Sequence, residues 1–243
     1  MQQKTSANIL FDNKQIVPKE FNKVADKYDF ATSMSQGYQE DLNRSGNLLQ
    51  LKGDELVVDL CCGTGKSTLS FIDKITTGKI ICVDNSEGML AVAQQKFAKQ
   101  ISTGKIEISL QDAMQLNFAP NSVDAIFMAY CLRNMPDYEQ CIKNLNRILR
   151  PGGQLVIHDY SLSDTWYAKP LWTILGYGFI VPFCTVVSGS ANIYTYLIKS
   201  VLNFLNPTQI KSLLEKNGFE TVTIHNHPSW RSLFFHSFRA VKK

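Results

Sequence analysis

The chain has 243 residues, of which 44% are hydrophobic and 19% are charged. This balance is typical of a globular protein with a large core, and the length favours one domain. The net charge of +4, with no run of Lys and Arg interleaved with aromatic residues, argues against nucleic acid as a partner. The first eight residues are polar, so no secretory signal is expected there.

Two helices are predicted at the N-terminal end, within residues 1–52. Pro18 can open the first, which runs to Phe30, because apolar residues recur at helical spacing between them. The second covers 38–51. We treat these helices as a segment that precedes the ligand-binding core.

Short apolar runs alternate with helical patterns between residues 53 and 160. The runs predict buried strands and the intervening segments predict helices, with Ser86 as an N-cap. The strands are expected at 55–60, 79–84, 106–110, 123–130 and 154–158, and the helices at 66–75, 86–100 and 138–149. Such alternation predicts a doubly wound, mostly parallel α/β sheet.

The C-terminal end departs from this alternation. Residues 161–206 show no strand pattern and are predicted to form a helical lid inserted after the fifth strand. Pro207 opens a helix to Asn217, and strand-like runs at 219–225 and 233–241 follow. Two adjacent strands with a short link predict an antiparallel edge pair, so that residues 207–243 complete a single domain.

A glycine-containing loop follows the first predicted strand. Residues 59–65 read DLCCGTG, and Gly63 and Gly65 allow a sharp turn and a close approach of the backbone to a ligand. In an open α/β sheet, ligands bind at the carboxyl ends of the strands. A nicotinamide dinucleotide is disfavoured, because Thr68 stands where its fingerprint has a third glycine.

Carboxylates end three successive strands. Asp59 precedes the glycines, Asp84 ends the second strand, and Asp112 ends the third, followed by Ala113. A carboxylate at the second position can accept hydrogen bonds from ribose hydroxyls, and one at the third can accept from an adenine amine. Met89, on the next helix, is expected to pack against the adenine. Taken singly, each Asp could equally be a turn or an N-cap.

The motifs DLCCGTG (59–65), VDNS (83–86), QDA (111–113) and RILRPGG (147–153) resemble those of class I S-adenosylmethionine-dependent methyltransferases, which have a Rossmann-like fold. A narrower resemblance is carried by three further segments. FNKVADKYD (21–29), LRNMPD (132–137) and YTYLIKS (194–200) are similar to motifs of the ubiquinone/menaquinone C-methyltransferases, the UbiE, MenG and Coq5 group.

The resemblance implies S-adenosyl-L-methionine as the cofactor and carbon methylation of a prenylated quinol as the reaction. The residues expected to bind the cofactor are Tyr28, Asp59, Gly63, Thr64, Gly65, Asp84, Asn85, Met89, Asp112, Ala113 and Ala129. At the last position the family often has Ser. No metal is expected.

The resemblance places Arg133 and Asn134 beside the substrate. A guanidinium stays protonated, so it can stabilise a phenolate or orient a water but cannot act as an ordinary base. His158, Asp159 and Tyr160 are candidates to take the proton. The alternatives are a structural histidine in the sheet and an ion pair of Arg133 with Asp137.

The predicted lid is apolar and aromatic, and residues 171–187 carry no charge. We expect it to form a tunnel for an isoprenoid tail and to contact a membrane surface. The alternatives are packing on its own core, or on a second copy in a homodimer. The run is near the lower length limit of a membrane span.

The six cysteines form no CxxC pair and no cluster with metal-ligand spacing, and several lie in apolar runs. They are expected to be reduced thiols in a cytoplasmic or organelle-matrix protein.

Two segments, 30–41 and 227–236, depart from the family pattern. Two other functions therefore stay open: methylation of oxygen, nitrogen or carbon on another lipophilic or aromatic small molecule, and a non-catalytic scaffold that binds the cofactor.

Overall fold

The computed structural model describes residues 22, 37–188 and 191–243. In this part of the chain seven strands form one sheet in the order β3-β2-β1-β4-β5-β7-β6. The strands are β1 (Leu56–Leu60), β2 (Lys79–Asp84), β3 (Ile106–Leu110), β4 (Val123–Ala129), β5 (Leu149–Tyr160), β6 (Phe219–Asn226) and β7 (Phe235–Lys242). The first five pair in parallel, and β7 pairs antiparallel with both β5 and β6. The predicted mostly parallel sheet with an antiparallel C-terminal edge pair is confirmed.

Strand order reverses direction at β1, which lies between β2 and β4. Asp59 is in register with Cys82 on one side and with Phe127 on the other. The chain crosses from β1 toward one edge and later returns to the other side, so a crevice opens beyond the carboxyl end of β1. The apolar residues of β1 and β4, such as Val58 and Ile126, are fully buried, as expected for central parallel strands.

Helices cover the sheet, and three of those described begin at a side-chain cap. They are α1 (Tyr38–Gly46), α2 (Glu87–Lys96), α3 (Ala98–Ser102), α4 (Tyr138–Ile148), α5 (Ala168–Leu175), α6 (Val181–Ser188), α7 (Ala191–Leu202) and α8 (Pro207–Lys216). Ser86 accepts the Met89 N–H at the start of α2, which confirms that predicted N-cap. Asn206 and Gln209 form a capping box at the start of α8.

The helix predicted at 66–75 is wrong. The segment instead contains two short 3₁₀ turns, Thr68–Ser70 and Ile72–Lys74. The hydroxyls of Ser67 and Thr68 donate to a carboxylate of β1. Hydroxyl side chains that bond elsewhere compete with regular helical geometry, and Phe71, at φ −142°, interrupts the helix between the two turns.

Several boundaries differ from prediction. The helix expected at 38–51 ends at Gly46, and β7 begins at Phe235 rather than 233 because a 3₁₀ turn occupies Ser229–Leu233. β5 is longer than expected, since the turn predicted at 151–153 is absorbed into the strand as an irregularity in its pairing with β4. The predicted helix at 18–30 lies outside the described residues, apart from Asn22.

The predicted lid is helical. α5 and α6 are joined by a π-helical segment, Gly176–Ile180, and α7 packs across them. A small core that includes Trp172, Ile198 and Phe234 holds the lid to the end of the sheet. One helical stretch of the described residues, Ala168–Val186, is long and apolar enough to cross a membrane, and only 11% of it is buried.

The lid core supplies a matched pair of tryptophans for a stability test. Trp172 is 2% exposed and packs on Tyr160 and Phe234, whereas Trp166 is 87% exposed. We expect Trp172→Ala to lower the free energy of unfolding by about 3–5 kcal/mol, through lost burial and a cavity. Trp166→Ala should change it by less than about 0.5 kcal/mol.

Urea denaturation followed by circular dichroism measures both values. Equal costs for the two variants would contradict the assignment of Trp172 to a lid core.

Candidate active site

A cavity of about 500 Å³ lies beyond the carboxyl ends of β1, β2 and β4. Most residues predicted to bind the cofactor line it. They are Gly63, Thr64, Asp84, Asn85, Met89, Asp112, Ala113 and Ala129, together with the predicted catalytic residue Asn134. Tyr28 lies outside the described residues. The residues predicted from sequence therefore converge on one cavity.

The glycine loop forms one wall of this cavity. Gly63 has φ +54° and a Cβ built on it meets nothing within 4 Å, so its backbone is open to the cavity. Gly65 has φ +83°, but a Cβ there would lie 2.2 Å from the Phe97 ring, so it faces the core. Gly63 thus allows close approach to a ligand, while Gly65 lets the loop pack.

Asp84 holds the loop and faces the cavity. Its two carboxylate oxygens accept from the Gly63 N–H at 2.8 Å and the Ser86 N–H at 2.9 Å. Burial raises the pKa of Asp84, and these N–H donors oppose the rise. On the neighbouring strand, Asp112 accepts from the Met114 N–H and also lines the cavity. Two carboxylates therefore lie at adjacent strand ends.

Asp59 does not line the cavity, contrary to its predicted contact with the cofactor. The side chain is fully buried, and one oxygen accepts from the hydroxyls of Ser67 at 2.7 Å and Thr68 at 2.5 Å. Burial raises its pKa to about 7, despite these two donors. Asp59 therefore anchors the glycine loop from beneath.

Arg133 and Asp159 form a buried ion pair. The Nη1 atom of Arg133 lies 2.6 Å from Oδ1 of Asp159, and the two side chains are 7% and 0% exposed. Arg133 also donates to the carbonyl of Tyr130, and its guanidinium lies 5.1 Å from the Tyr160 ring centroid. Burial raises the pKa of Asp159, although the guanidinium opposes this rise.

The alternative of an Arg133–Asp137 pair is wrong, because Asp137 instead caps α4 by accepting the Gln140 N–H. Neither Arg133 nor Asp159 lines the cavity. Their partner in the cavity wall is Asn134, which donates to the Tyr130 carbonyl and accepts from the Tyr196 hydroxyl at 3.0 Å. The ion pair thus lies behind the part of the cavity wall that Asn134 forms, and Arg133 and Asn134 donate to the same Tyr130 carbonyl.

The surroundings of His158 indicate a structural role rather than a catalytic one. It is fully buried, it does not line the cavity, and its Nδ1 lies 3.0 Å from the Ser237 hydroxyl. Burial lowers its pKa well below the ordinary value. His158 is therefore neutral and poorly suited to take a proton at neutral pH.

Sequence reasoning missed three aromatic side chains of the site. Tyr38 and Tyr130 line the cavity and stack with ring centroids 5.0 Å apart. Tyr196 of the lid reaches Asn134. Tyr196 lies within the family motif at 194–200, which could have indicated a role at the site. No local pattern indicated the Tyr38–Tyr130 stack.

A disulfide joins two cavity residues, Cys61 and Cys131, which corrects the expectation that all six cysteines are reduced. Their Cα atoms lie 6.1 Å apart because β1 and β4 are neighbours, although 70 residues separate them in sequence. The other four cysteines are free thiols. Over the described ranges, no group of three His, Cys, Asp or Glu side chains could hold a metal.

Comparisons with known proteins agree on one family. Residues 9–231 match the model of the ubiE/COQ5 methyltransferase family. The chain is 31% identical, over 88% of its length and 89% of the relative, to the demethylmenaquinone methyltransferase of Staphylococcus aureus strain JH9.

Solved structures share the fold. A SAM-dependent methyltransferase from Aquifex aeolicus superposes with a TM-score of 0.61 at 16% identity, covering 93% of this chain and 98% of that one. The Haemonchus contortus phosphoethanolamine N-methyltransferase 2, in complex with S-adenosylhomocysteine, superposes with a TM-score of 0.66 at 16% identity. The match covers 99% of this chain and 61% of that one.

The raised pKa of Asp59 predicts a pH-dependent stability difference. In the unfolded chain the carboxyl ionises near 3.8, but in the folded chain it keeps its proton to about pH 7. Stability from this group is thus complete below pH 3.8 and is lost as pH rises toward 7. Relative to Asp59→Asn, the wild type should lose about 2 kcal/mol of unfolding free energy between pH 5 and pH 7.

Denaturation curves without ligand at the two pH values provide the measurement, with exposed Asp54→Asn as the matched control. Wild-type and Asp59→Asn curves that shift in parallel with pH would contradict the prediction.

Proposed function

The chain belongs to the ubiE/COQ5 methyltransferase family, and from that premise we propose that it methylates a ring carbon of a reduced, prenylated quinone precursor. The chain is a methyltransferase, like the relatives that it matches. Its cofactor is S-adenosyl-L-methionine. The quinol acceptor is the finer step, supported by the demethylmenaquinone methyltransferase relative.

The residues of the cavity fit the cofactor. The open backbone at Gly63 suits close approach of the amino acid portion, and Asp84 and Asp112 offer carboxylates for ribose hydroxyls and the adenine amine. Met89 is 2% exposed and supplies an apolar contact for the base. We assign cofactor binding to these four residues, with Thr64, Asn85, Ala113 and Ala129 completing the lining.

The observation that carries the acceptor assignment is the continuity between the cavity wall and the lid. Tyr130 lines the cavity, and its ring lies 5.4 Å from that of Tyr160, which in turn packs 5.3 Å from Trp172 in the lid core. An aromatic ring in the cavity therefore adjoins an apolar lid. This arrangement suits a quinol head with an isoprenoid tail.

Bound S-adenosylmethionine supplies a methyl group already activated by the sulfonium. The remaining task of the protein is to align the nucleophilic carbon and to exclude water. A quinol carbon becomes nucleophilic when the neighbouring hydroxyl ionises, so positive potential beside the ring favours transfer. Asn134 offers its amide at the wall, and the charge of buried Arg133 lies directly behind it.

Arg133 in this proposal acts from beneath the wall. Its guanidinium holds the Tyr130 carbonyl, which also accepts from Asn134. Asp159 fixes the guanidinium at 2.6 Å. We assign Arg133 and Asp159 to positioning Asn134 and Tyr130 and to the local field, and we leave the ring proton to solvent because neutral, buried His158 does not reach the cavity.

The exposed side of the lid supports contact with a membrane surface. Phe179, Phe183 and Val186 are 75%, 55% and 86% exposed and lie at i, i+4 and i+7, on one side of the lid helix. Lys169 is exposed on the same helical stretch, and the chain is net positive. An apolar face on a helical stretch with a lysine near its start suits insertion into the headgroup region of an anionic bilayer. We propose this surface as the route by which a lipid acceptor arrives.

The proposed reaction is tested with methyl-labelled S-adenosylmethionine, anaerobically, against demethylated prenyl quinols and simple phenols, with analysis by mass spectrometry. We expect label on a quinol ring carbon. Arg133→Lys should reduce turnover by at least about tenfold while the cofactor Kd stays within twofold, because an ammonium does not reproduce the placement of Nη1 between Asp159 and the Tyr130 carbonyl. Asp84→Asn should instead raise the cofactor Kd about tenfold.

Label on a phenol oxygen or on another acceptor would discard the quinol and keep the methyltransferase. Cofactor binding without transfer to any acceptor would favour a non-catalytic scaffold. Full activity of Arg133→Lys would refute its positioning role.

The membrane proposal predicts co-sedimentation with vesicles that contain anionic lipid. Phe179→Glu combined with Val186→Glu should weaken vesicle binding by at least tenfold, since two apolar contacts are replaced by charges that anionic headgroups repel. Ile224→Glu on the edge strand β6 is the matched control and should bind as the wild type does.

Equal vesicle binding by the double variant and the wild type would refute the lid contact. If the wild type does not bind vesicles and the double variant has a lower sedimentation coefficient than the wild type, the surface would instead be assigned to contact with a second copy of the chain.

A further inference from the structure

A network of buried polar side chains joins four elements behind the cavity wall. The Nδ1 of His227, after β6, lies 2.8 Å from Asp41 of α1, and its Nε2 lies 2.9 Å from the hydroxyl of Ser237 in β7. The same hydroxyl is 3.0 Å from Nδ1 of His158 in β5. None of the four side chains belongs to a residue more than 4% exposed. We call Asp41, His227, Ser237 and His158 the buried network.

Counting protons fixes the direction of each hydrogen bond. The Ser45 hydroxyl donates its proton to the Asp41 carbonyl, so it can only accept from the Ser237 hydroxyl at 2.7 Å. Ser237 has then used its proton. It must accept from both His227 and His158.

The histidine states follow from this count. His158, neutral because burial lowers its pKa, carries its proton on Nδ1 and leaves Nε2 bare. His227 donates from Nε2 to the Ser237 hydroxyl, and its Nδ1 faces the carboxylate of Asp41 at 2.8 Å. Asp41 also pairs with Arg231.

His158 connects this network to the cavity. Its ring meets the ring of Tyr130 edge-on with centroids 4.7 Å apart, and Tyr130 stacks on Tyr38 at 5.0 Å. Both tyrosines line the cavity. Within the described residues, Nε2 of His158 is buried without a hydrogen-bond partner, so the orientation of the ring depends on its Nδ1 bond and on packing.

The two segments that depart from the family pattern meet in this network. Asp41 belongs to the first, 30–41, while His227 and Arg231 belong to the second, 227–236. They are joined through direct contacts across 186 and 190 residues of sequence.

We infer that Asp41, His227 and Ser237 are positioning residues for the methyl acceptor: they hold His158 in one tautomer and orientation, and through it the Tyr38–Tyr130 wall. This inference rests on the proposed function for the identity of the ligand at that wall. It makes the network a determinant of acceptor fit rather than of cofactor binding.

The histidine states are tested by ¹⁵N NMR of the full chain with labelled histidines. At neutral pH we expect His158 to carry its proton on Nδ1 only and His227 to carry a proton on Nε2. In a second sample with ¹³C-labelled tyrosine rings, Ser237→Ala should shift the ring resonances of Tyr130 and Tyr38. His236→Asn is the matched control, because His236 is buried on the same strand but bonds the Ser161 carbonyl, which an Asn amide can still reach.

The kinetic test compares the KM for the acceptor with the Kd for S-adenosylmethionine. Ser237→Ala should raise the KM about tenfold, in line with the cost of small misplacements, and leave the Kd within twofold. His227→Gln keeps an N–H donor at the Nε2 position, whereas His227→Asn does not. The KM of His227→Gln for the acceptor should therefore lie between the wild-type value and the higher value of His227→Asn. This pair of His227 variants also replaces Ser237→Ala if that variant fails to fold.

A His158 proton on Nε2 would overturn the inference. So would an unchanged acceptor KM and unshifted tyrosine resonances in Ser237→Ala and His227→Asn, with the same loss of Tm as the His236→Asn control. Absence of transfer to every quinol would overturn the proposed function alone, because the NMR measurements need no acceptor.

Discussion

The position of β1 between β2 and β4 is the constraint on which the site depends. Parallel strands cannot be joined by tight turns, so each crossover must pass over a face of the sheet. Where successive crossovers leave in opposite directions, no connection covers the strand ends. The glycine loop, Asp84 and the Tyr38–Tyr130 stack all lie around that uncovered edge, although they come from distant parts of the chain.

Buried charge is organised in two layers beneath this edge. Asp59 anchors the glycine loop through Ser67 and Thr68, and the Arg133–Asp159 pair supports the opposite wall. Removing one partner from a buried pair typically costs about 3–5 kcal/mol, so such groups tolerate little change. Both walls are thus supported by side chains that do not themselves line the cavity.

Local patterns were sufficient to predict the strands, the caps and the strand-end carboxylates. Asp84 and Ser86 were recognisable because an apolar run ended directly before them. Partners that depend on strand order were not recognisable. Asp137, four residues from Arg133, was the alternative partner considered from sequence, yet the actual partner is 26 residues away in β5.

The same limit explains the other errors. A helix was expected at 66–75 because nothing local shows that Ser67 and Thr68 bond to a carboxylate eight and nine residues earlier. His158 was treated as a candidate base because its neighbour Ser237 lies 79 residues on, in the antiparallel strand β7. The type of each side chain could be used for prediction from sequence, whereas the neighbours that determine its protonation state could not be predicted.

The Cys61–Cys131 bond closes a covalent ring over residues 61–131. The ring contains β2, β3 and β4 with Asp84 and Asp112, while the lid and the antiparallel edge lie outside it. Closing a loop of this length removes chain entropy from the unfolded state equivalent to about 4 kcal/mol. The disulfide therefore tethers the strands that carry Asp84 and Asp112 without tethering the lid, so an opening of the lid would leave those strands joined.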